Sequence, residues 1–469
     1  MPILLLLILF TLSVAANAQS GRISPQSTPP STVAAELTVK QMFDEANAYN
    51  KLKFAEYEKK KVSYSEKLRL QTEVERRQLA AKYATTAATR STLSADELYY
   101  IGMLQWIAEN LDQTGIFLKR YLETAGPQAD RGQNARAILT FVSAKQKKFD
   151  DALKYRGDYE KGTPLKTSDL WRMNSEIAKA YSTDKQYAPA GEYASKAYDA
   201  AKALLKEAPT SLNAADALLD SGMLMFEAFR DAGDTKKADA ALDDMRQTAV
   251  LLKSPLFYYY SVDKLITYQV ETGRKTLAKE TQIESLVQAA KDFGALGPDN
   301  EALQRLKRRE PQYRLMGEPA PELTGVDQWF PGKLQTLASL KGKVVLLDFW
   351  ATWCGPCFDA FPSLAEWHQD LTREGLVILG VTRYYGHGEG LDLDPPSEIA
   401  FLKRFKEKHN LGYDFVVMSG QESQFRYAAT GLPTAVIIDR KGVIRYIDSG
   451  TNPSRLEEMR AMILKLLKE

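Results

Sequence analysis

Trp353-Cys354-Gly355-Pro356-Cys357 carries the only two cysteines of the chain and follows directly on the apolar run Val344-Val345-Leu346-Leu347-Asp348-Phe349-Trp350. Such a run predicts a strand buried on both faces. Proline just after the first cysteine suits the opening turn of a helix, where a missing N–H costs nothing. The sequence therefore places two thiols, about one turn apart, where a buried strand hands over to a helix. Thiols so spaced can close into a small disulfide and reopen, which is the reversible step of thiol–disulfide exchange. Zinc is the competing use of paired cysteines, but a structural site takes about four ligands. His368, His387 and His409 have no ligand spacing around the cysteines and read as surface or loop residues, so no metal and no other cofactor is expected.

The rest of the composition narrows the class of protein. With 469 residues, 26% charged residues and a net charge of +2, the chain reads as a soluble, multidomain globular protein. Lys59-Lys60-Lys61 and Lys307-Arg308-Arg309 sit beside Glu58 and Glu310 and read as solvated helix faces, and no nucleic-acid partner is expected. Ile3 to Ala15 is apolar and ends in the small-x-small pattern Ala16-Asn17-Ala18, so residues 1–18 read as an export signal cut before Gln19. That run is shorter than the roughly 20 residues that cross a bilayer. The expected location is outside the cytoplasm, where cysteines commonly go into structural disulfides. This chain has none to spare beyond the pair itself.

Residues 19–34 are rich in Ser, Pro and Thr and predict a disordered lead-in, after which residues 35–310 read as helical throughout. Leu98 to Leu122, Trp171 to Lys206 and Ala214 to Leu252 carry apolar residues at helical spacing between short Gly, Pro and Asp breaks. Ile177, Ala178, Tyr181, Tyr187, Ala190 and Ala197 resemble tetratricopeptide-type helix pairs, with weaker echoes at Phe149 with Ala152 and Phe229 with Ala238. Their spacing is not constant, so a degenerate tetratricopeptide-like solenoid stands beside an irregular helical bundle. Phe257-Tyr258-Tyr259-Tyr260 is expected to fill helix interfaces, a concave binding face being the alternative. Lys51 to Arg77 predicts one long exposed helix, with coiled-coil pairing as the other option. Helix is expected to end near Pro311, and residues 311–320 read as a proline-rich linker.

Beyond it, the Pro319-Ala320-Pro321 approach, Leu340-Lys341-Gly342-Lys343, the Cys-Gly-Pro-Cys motif and Gly431-Leu432-Pro433-Thr434 stand in the order found in one family. Residues 317 to about 463 resemble the thioredoxin-like family, and within it the exported TlpA/ResA-like thiol–disulfide oxidoreductases, so 317–469 is expected to form one such domain. The whole is thus expected to join an all-α helical-repeat region to an α/β thioredoxin-like domain.

The physics of a helix start makes Cys354 the attacking thiolate, because free N–H groups and the positive helix end favour negative charge there. Cys357 would resolve the mixed disulfide. Asp348 is a carboxylate in an apolar strand, so burial should raise its pKa. The resemblance gives it the role of proton acceptor for Cys357; a salt-bridged, inert carboxylate is the alternative. Gly355 and Pro356 would set the geometry between the cysteines, and Trp353 would flank Cys354 where substrate docks. Leu432-Pro433 matches the family's cis-proline site and Pro362 its helix-kink proline. The Gly- and Asp-rich stretch Tyr384 to Pro396 reads as a mobile surface loop.

The resemblance implies protein disulfides as substrates and a reducing direction, which calls for a membrane protein as electron donor; the helical array is expected to recruit a protein or peptide partner. A redox-sensing scaffold with little turnover is the alternative function. A thiol peroxidase of the Pro-x-x-x-Thr/Ser-x-x-Cys type is disfavoured, because Leu347 and Ala351 occupy the Pro and Thr/Ser positions.

Overall fold

A computed structural model describes residues 37–126, 130–297, 300–388 and 390–469. The expected export signal (1–18) and lead-in (19–34) lie outside the described residues. The chain divides into two compact units, residues 1–129 and 130–469, so the division falls inside the stretch that reads as helical. None of the described helices is long and apolar enough to cross a membrane.

The first unit holds α1 (Val39–Lys59), α2 (Glu66–Ala88), α3 (Ala95–Ile107) and α4 (Leu111–Ala125). Lys51 to Arg77, read from sequence as one helix, is two. Lys61 takes a left-handed φ of 55°, and Ser65 caps the new helix by accepting from the Leu68 amide at 3.2 Å. The first device ends a helix and the second starts the next. The chain then folds back, with Arg76 Nε donating to the Ala46 carbonyl at 3.2 Å and Tyr49 Oη to Glu75 at 3.0 Å. Lys59, Lys60 and Lys61 are exposed.

The second unit opens with α5 (Gly132–Lys145), α6 (Phe149–Lys161), α7 (Thr167–Thr183), α8 (Tyr187–Glu207) and α9 (Leu212–Asp231). It continues with α10 (Thr235–Leu251), α11 (Pro255–Glu271), α12 (Lys275–Asp292) and α13 (Glu301–Leu315). One turn recurs between these helices. A left-handed residue (Lys147, Lys185, Gly233, Lys253 or Gly273) is followed by an amide that bonds five residues back, as in Gln186 to Tyr181 at 2.9 Å and Arg274 to Gln269 at 2.8 Å. This is the six-to-one closure that satisfies the orphan carbonyls of a helix end.

Between the turns, helices approach closely on small residues. A Cβ on Gly191 would meet the Phe229 ring at 2.4 Å, and Ala178, Ala190, Ala194 and Ala197 are fully buried. Phe149 stacks on Tyr181 with ring centroids 4.1 Å apart, and Ala152, Ile177 and Ala190 share their cluster, while Ala178, Phe229 and Ala238 belong to a second one. Of the aromatic cluster, Tyr258 is fully buried while Phe257, Tyr259 and Tyr260 are half-buried and line a cavity of about 690 Å³.

The α/β domain is a six-stranded mixed sheet in the order β1-β6-β3-β2-β7-β8. Its strands are β1 (Val326–Phe330), β2 (Val344–Phe349), β3 (Leu376–Arg383), β6 (Asp414–Met418), β7 (Thr434–Ile438) and β8 (Ile444–Ser449). A two-stranded hairpin, β4 (His387–Gly388) with β5 (Leu391–Asp392), stands apart. Strands β2, β3 and β6 are parallel, while β1, β7 and β8 run against their neighbours. On one face lie α14 (Gly355–Leu371), α15 (Pro395–Lys408) and α17 (Pro453–Lys468), and a short α16 (Glu422–Arg426) precedes β7.

Alternation along β2 sends Val344 and Leu346 into that face and Val345, Leu347 and Phe349 into the other. The second face is closed by the helical region. Val345, Leu347, Leu379, Val416 and Val436 share one apolar cluster with Tyr258, Val262 and Ile266 of α11 and with Leu306 and Tyr313 of α13. The proline-rich approach lies along β8 rather than hanging free. Gly317 N donates to the Ile444 carbonyl at 2.8 Å, and Ala320 N to Gly442 at 2.9 Å. Helix α13 runs through Pro311 to Leu315, four residues past where proline alone suggests a stop. Burial of Tyr313 and Met316 in the shared core favours the helix across the missing bond.

Candidate active site

Strand β2 delivers the site. It is buried along its whole length and held by β3 on one side and β7 on the other, so the segment after Phe349 departs from the middle of the sheet. Trp350 N bonds the Val381 carbonyl at 3.1 Å, Cys354 N bonds Ala351 at 3.1 Å, and α14 begins. Cys354 is its N-cap, with no side-chain cap, and Gly355 and Pro356 form its first turn. Cys354 thus stands at the start of α14, where unpaired N–H groups and the positive end of the helix dipole favour a thiolate.

Cys354 and Cys357 are joined in a disulfide, with Cα atoms 5.4 Å apart. Cys354 is 4% and Cys357 1% exposed, whereas Gly355 and Pro356 between them lie open to solvent. Trp353 is 56% exposed, so the surface of the site is built from the residues that flank the cysteines.

Asp348 lies on the α14 face of β2, in the alternation that puts Leu346 with the two cysteines. It is 3% exposed, and burial pushes its carboxyl from 3.8 up to about 7. Among the described residues its Oδ2 has no hydrogen-bond partner, and the residue across on β3 is Gly380, which brings no side-chain charge. Burial alone accounts for the shift, so nothing among the described residues supports the inert ion-pair alternative. A carboxyl of this kind can hold or accept a proton near neutral pH.

Leu432-Pro433 precedes β7, and the peptide bond between them is cis. Pro433 is buried, and Leu432 packs against the apolar cluster that contains both cysteines. Thr434 pairs with Phe349, so this loop stands beside the end of β2 from which the dithiol segment departs. Pro362 lies inside α14.

Tyr385 and Arg383 were not legible from sequence. The Tyr385 ring meets Trp353 edge-on with centroids 5.4 Å apart, and the Arg383 guanidinium lies 4.1 Å from the Tyr385 centroid. The stretch from Tyr384 to Pro396 reads from sequence as a mobile loop. It contains the β4–β5 hairpin and is tied down by Glu398, which accepts from Tyr385 N at 2.9 Å and Gly386 N at 3.0 Å.

Of the histidines, His387 is exposed on β4, while His409 packs at 4.3 Å from the Phe405 ring and His368 is half-buried on α14. Among the described residues, no group of three or more His, Cys, Asp or Glu is placed to hold a metal.

Residues 316–447 match the model of the AhpC/TSA family. A thiol-disulfide oxidoreductase ResA of Bacillus thuringiensis subsp. konkukian is 32% identical over 144 residues, covering 30% of this chain and 75% of the relative. Protein DipZ of Mycobacterium bovis is 32% identical over 156 residues, 32% of this chain and 21% of that one. A crystal structure of a thiol:disulfide interchange protein from Chlorobium tepidum TLS is 24% identical, with a TM-score of 0.26 over 32% of this chain and 95% of that chain. With a disulfide-forming Cys-x-x-Cys at the head of a helix and a 32% identical ResA relative covered over 75% of its length, the chain belongs to the family of thioredoxin-like thiol–disulfide oxidoreductases.

Proposed function

We propose that the protein is exported and reduces disulfides in protein substrates, with electrons supplied by a membrane-bound donor. The observation that carries the reading is the placement of Cys354 at the N-cap of α14, with Cys357 one turn inside and Asp348 buried on the same face.

In the reduced enzyme the Cys354 thiolate attacks one sulfur of the substrate disulfide. A mixed disulfide forms and the other substrate sulfur leaves as a thiolate. Cys357 then gives its proton to the Asp348 carboxylate and attacks the Cys354 sulfur, closing the Cys354–Cys357 disulfide and releasing the second substrate thiol. Two electrons pass from enzyme to substrate, and an outside dithiol must return them. Trp353, Gly355, Pro356, Leu432 and Pro433 form the substrate-facing rim, and Tyr385 and Arg383 extend it through Trp353.

Helices of residues 35–310, with their repeated turns and small-residue contacts, support a tetratricopeptide-like region that recruits the client or the donor.

Trapping tests the reading. Replacing Cys357 with Ser leaves the mixed disulfide unresolved, so defined protein adducts should appear on a non-reducing gel and vanish when Cys354 is also replaced. A gel without adducts from an exported, folded variant would sink it.

A further inference from the structure

One file of buried and part-buried hydrogen bonds reaches the exchange site from the helical region. Arg309 was expected on a solvated face with Lys307 and Arg308. Those two are exposed, but Arg309 is buried. Its Nε donates to Asp263 of α11 at 2.9 Å and its Nη1 to the Ile447 carbonyl of β8 at 2.7 Å. Burial would push the Asp263 carboxyl up, yet Arg309 and the Tyr313 hydroxyl hold it below the usual carboxylate range. The pair therefore stays ionised.

Arg309 Nη1 also donates to Gln312 Oε1, which fixes the amide oxygen as acceptor and leaves its nitrogen to donate. That nitrogen donates to Ser449 Oγ at 3.0 Å and to the Ala428 carbonyl at 3.3 Å. Thr434 Oγ1 spends its single proton on the Gly431 carbonyl at 2.6 Å. At the 2.7 Å contact between Ser449 Oγ and Thr434 Oγ1, Ser449 is then the donor. Every bond direction is set, from a cation on α13 to the carbonyl of Gly431. Bonds aligned in this way polarise and strengthen one another.

The file ends on Gly431-Leu432-Pro433, where the Pro433 carbonyl is also held by Gly450 N at 2.7 Å. We propose that Gln312, outside the thioredoxin-like sequence match, is a positioning residue of the exchange site. It holds the Gly431–Pro433 loop at the height where an extended substrate chain meets it. This rests on the exchange reading above. A client polypeptide long enough to lie along the loop feels the loop's position, and a small disulfide that touches only Cys354 does not.

Full-length Gln312→Met, Ser449→Ala and the double variant are compared with the parent in reduction of insulin and of oxidised glutathione. The KM for insulin should rise about tenfold, equivalent to about 1.4 kcal/mol, with kcat within about twofold and glutathione reduction unchanged. The double variant should lose no more than either single variant, because both break one file. Amide exchange at Leu432 and Thr434 should quicken in each. An unchanged insulin KM, equal losses on both substrates, or additive losses would each overturn the proposal. Should Gln312→Met fail to fold, Ser449→Ala carries the same expectations. If the parent reduces neither substrate, the exchange reading falls, and amide exchange alone still decides whether Gln312 holds the loop.

Discussion

On the dithiol face of the sheet, Val344, Leu346 and Trp350 are closed by α14, α15 and α17, all of which come after β2 in the chain. On the opposite face, Val345, Leu347 and Val381 are closed in large part by α11 and α13, which precede it. Chemistry and cover are thus divided between the two sides of one strand layer. The face that carries Cys354, Cys357 and Asp348 draws on residues of the last third of the chain, α17 among them. Its reverse depends on the helical region, so that region is a structural part of the α/β domain as well as a candidate recruiting surface.

Removing residues 1–316 breaks the comparison hardest. It bares the apolar reverse face of the sheet, and the remaining domain should lose its cooperative thermal transition and bind hydrophobic dye. Removing residues 1–129 alone leaves that cover in place and should keep the transition. A sharp melt for the shorter fragment would show that the two faces are independent.

Next in size is the carboxylate. Asp348 has its pKa raised from 3.8 to about 7 in the folded state, so the folded protein holds a proton there that the unfolded chain gives up. Its ionisation therefore adds no cost at low pH, and stability falls as pH rises from about 4 to about 7. Asp348→Asn should abolish that slope and be more stable than the parent by up to roughly 4 kcal/mol at about pH 8, with no gain near pH 3. Urea melts at the two pH values check the sign. The same variant should slow resolution by Cys357 and lengthen the life of the mixed disulfide.

Leu364→Ala on the dithiol face and Leu306→Ala on the covered face both empty fully buried sites and should each cost about 2–5 kcal/mol. They differ in reach. Leu364 shares a cluster with the cysteines, so its loss should change the rate of Cys354 attack on a small disulfide, whereas Leu306→Ala should leave that rate alone. Equal effects on chemistry would erase the distinction between the faces.

The smallest effect on stability belongs to the rim. Trp353→Ala removes an exposed ring and should move stability by no more than about 0.5 kcal/mol, while weakening reduction of a protein substrate.

The dithiol site was largely legible in sequence because its parts are local or chemically conspicuous. Val344 to Trp350 announces a buried strand, Pro356 a helix start, and Asp348 a charge where apolar residues belong. The turns between helices were less legible. Their left-handed position is lysine in three of the five and glycine in two, and only the backbone closure five residues back reveals the pattern. Lys51 to Arg77 looked continuous for the same reason, since its break uses Lys61 and Ser65 rather than proline or glycine.

By itself, the sequence determined the local chemistry: which thiols pair, which helix end favours the thiolate, and which carboxylate is too apolar in its neighbours to ionise easily. Those properties arise from residues within a few positions of one another. Only the tertiary structure decided that Arg309 turns inward while Lys307 and Arg308 do not. It alone set Tyr385 against Trp353, and α11 and α13 over the back of the sheet. These outcomes depend on which distant surfaces exclude water from one another, and residue spacing along a chain does not encode that.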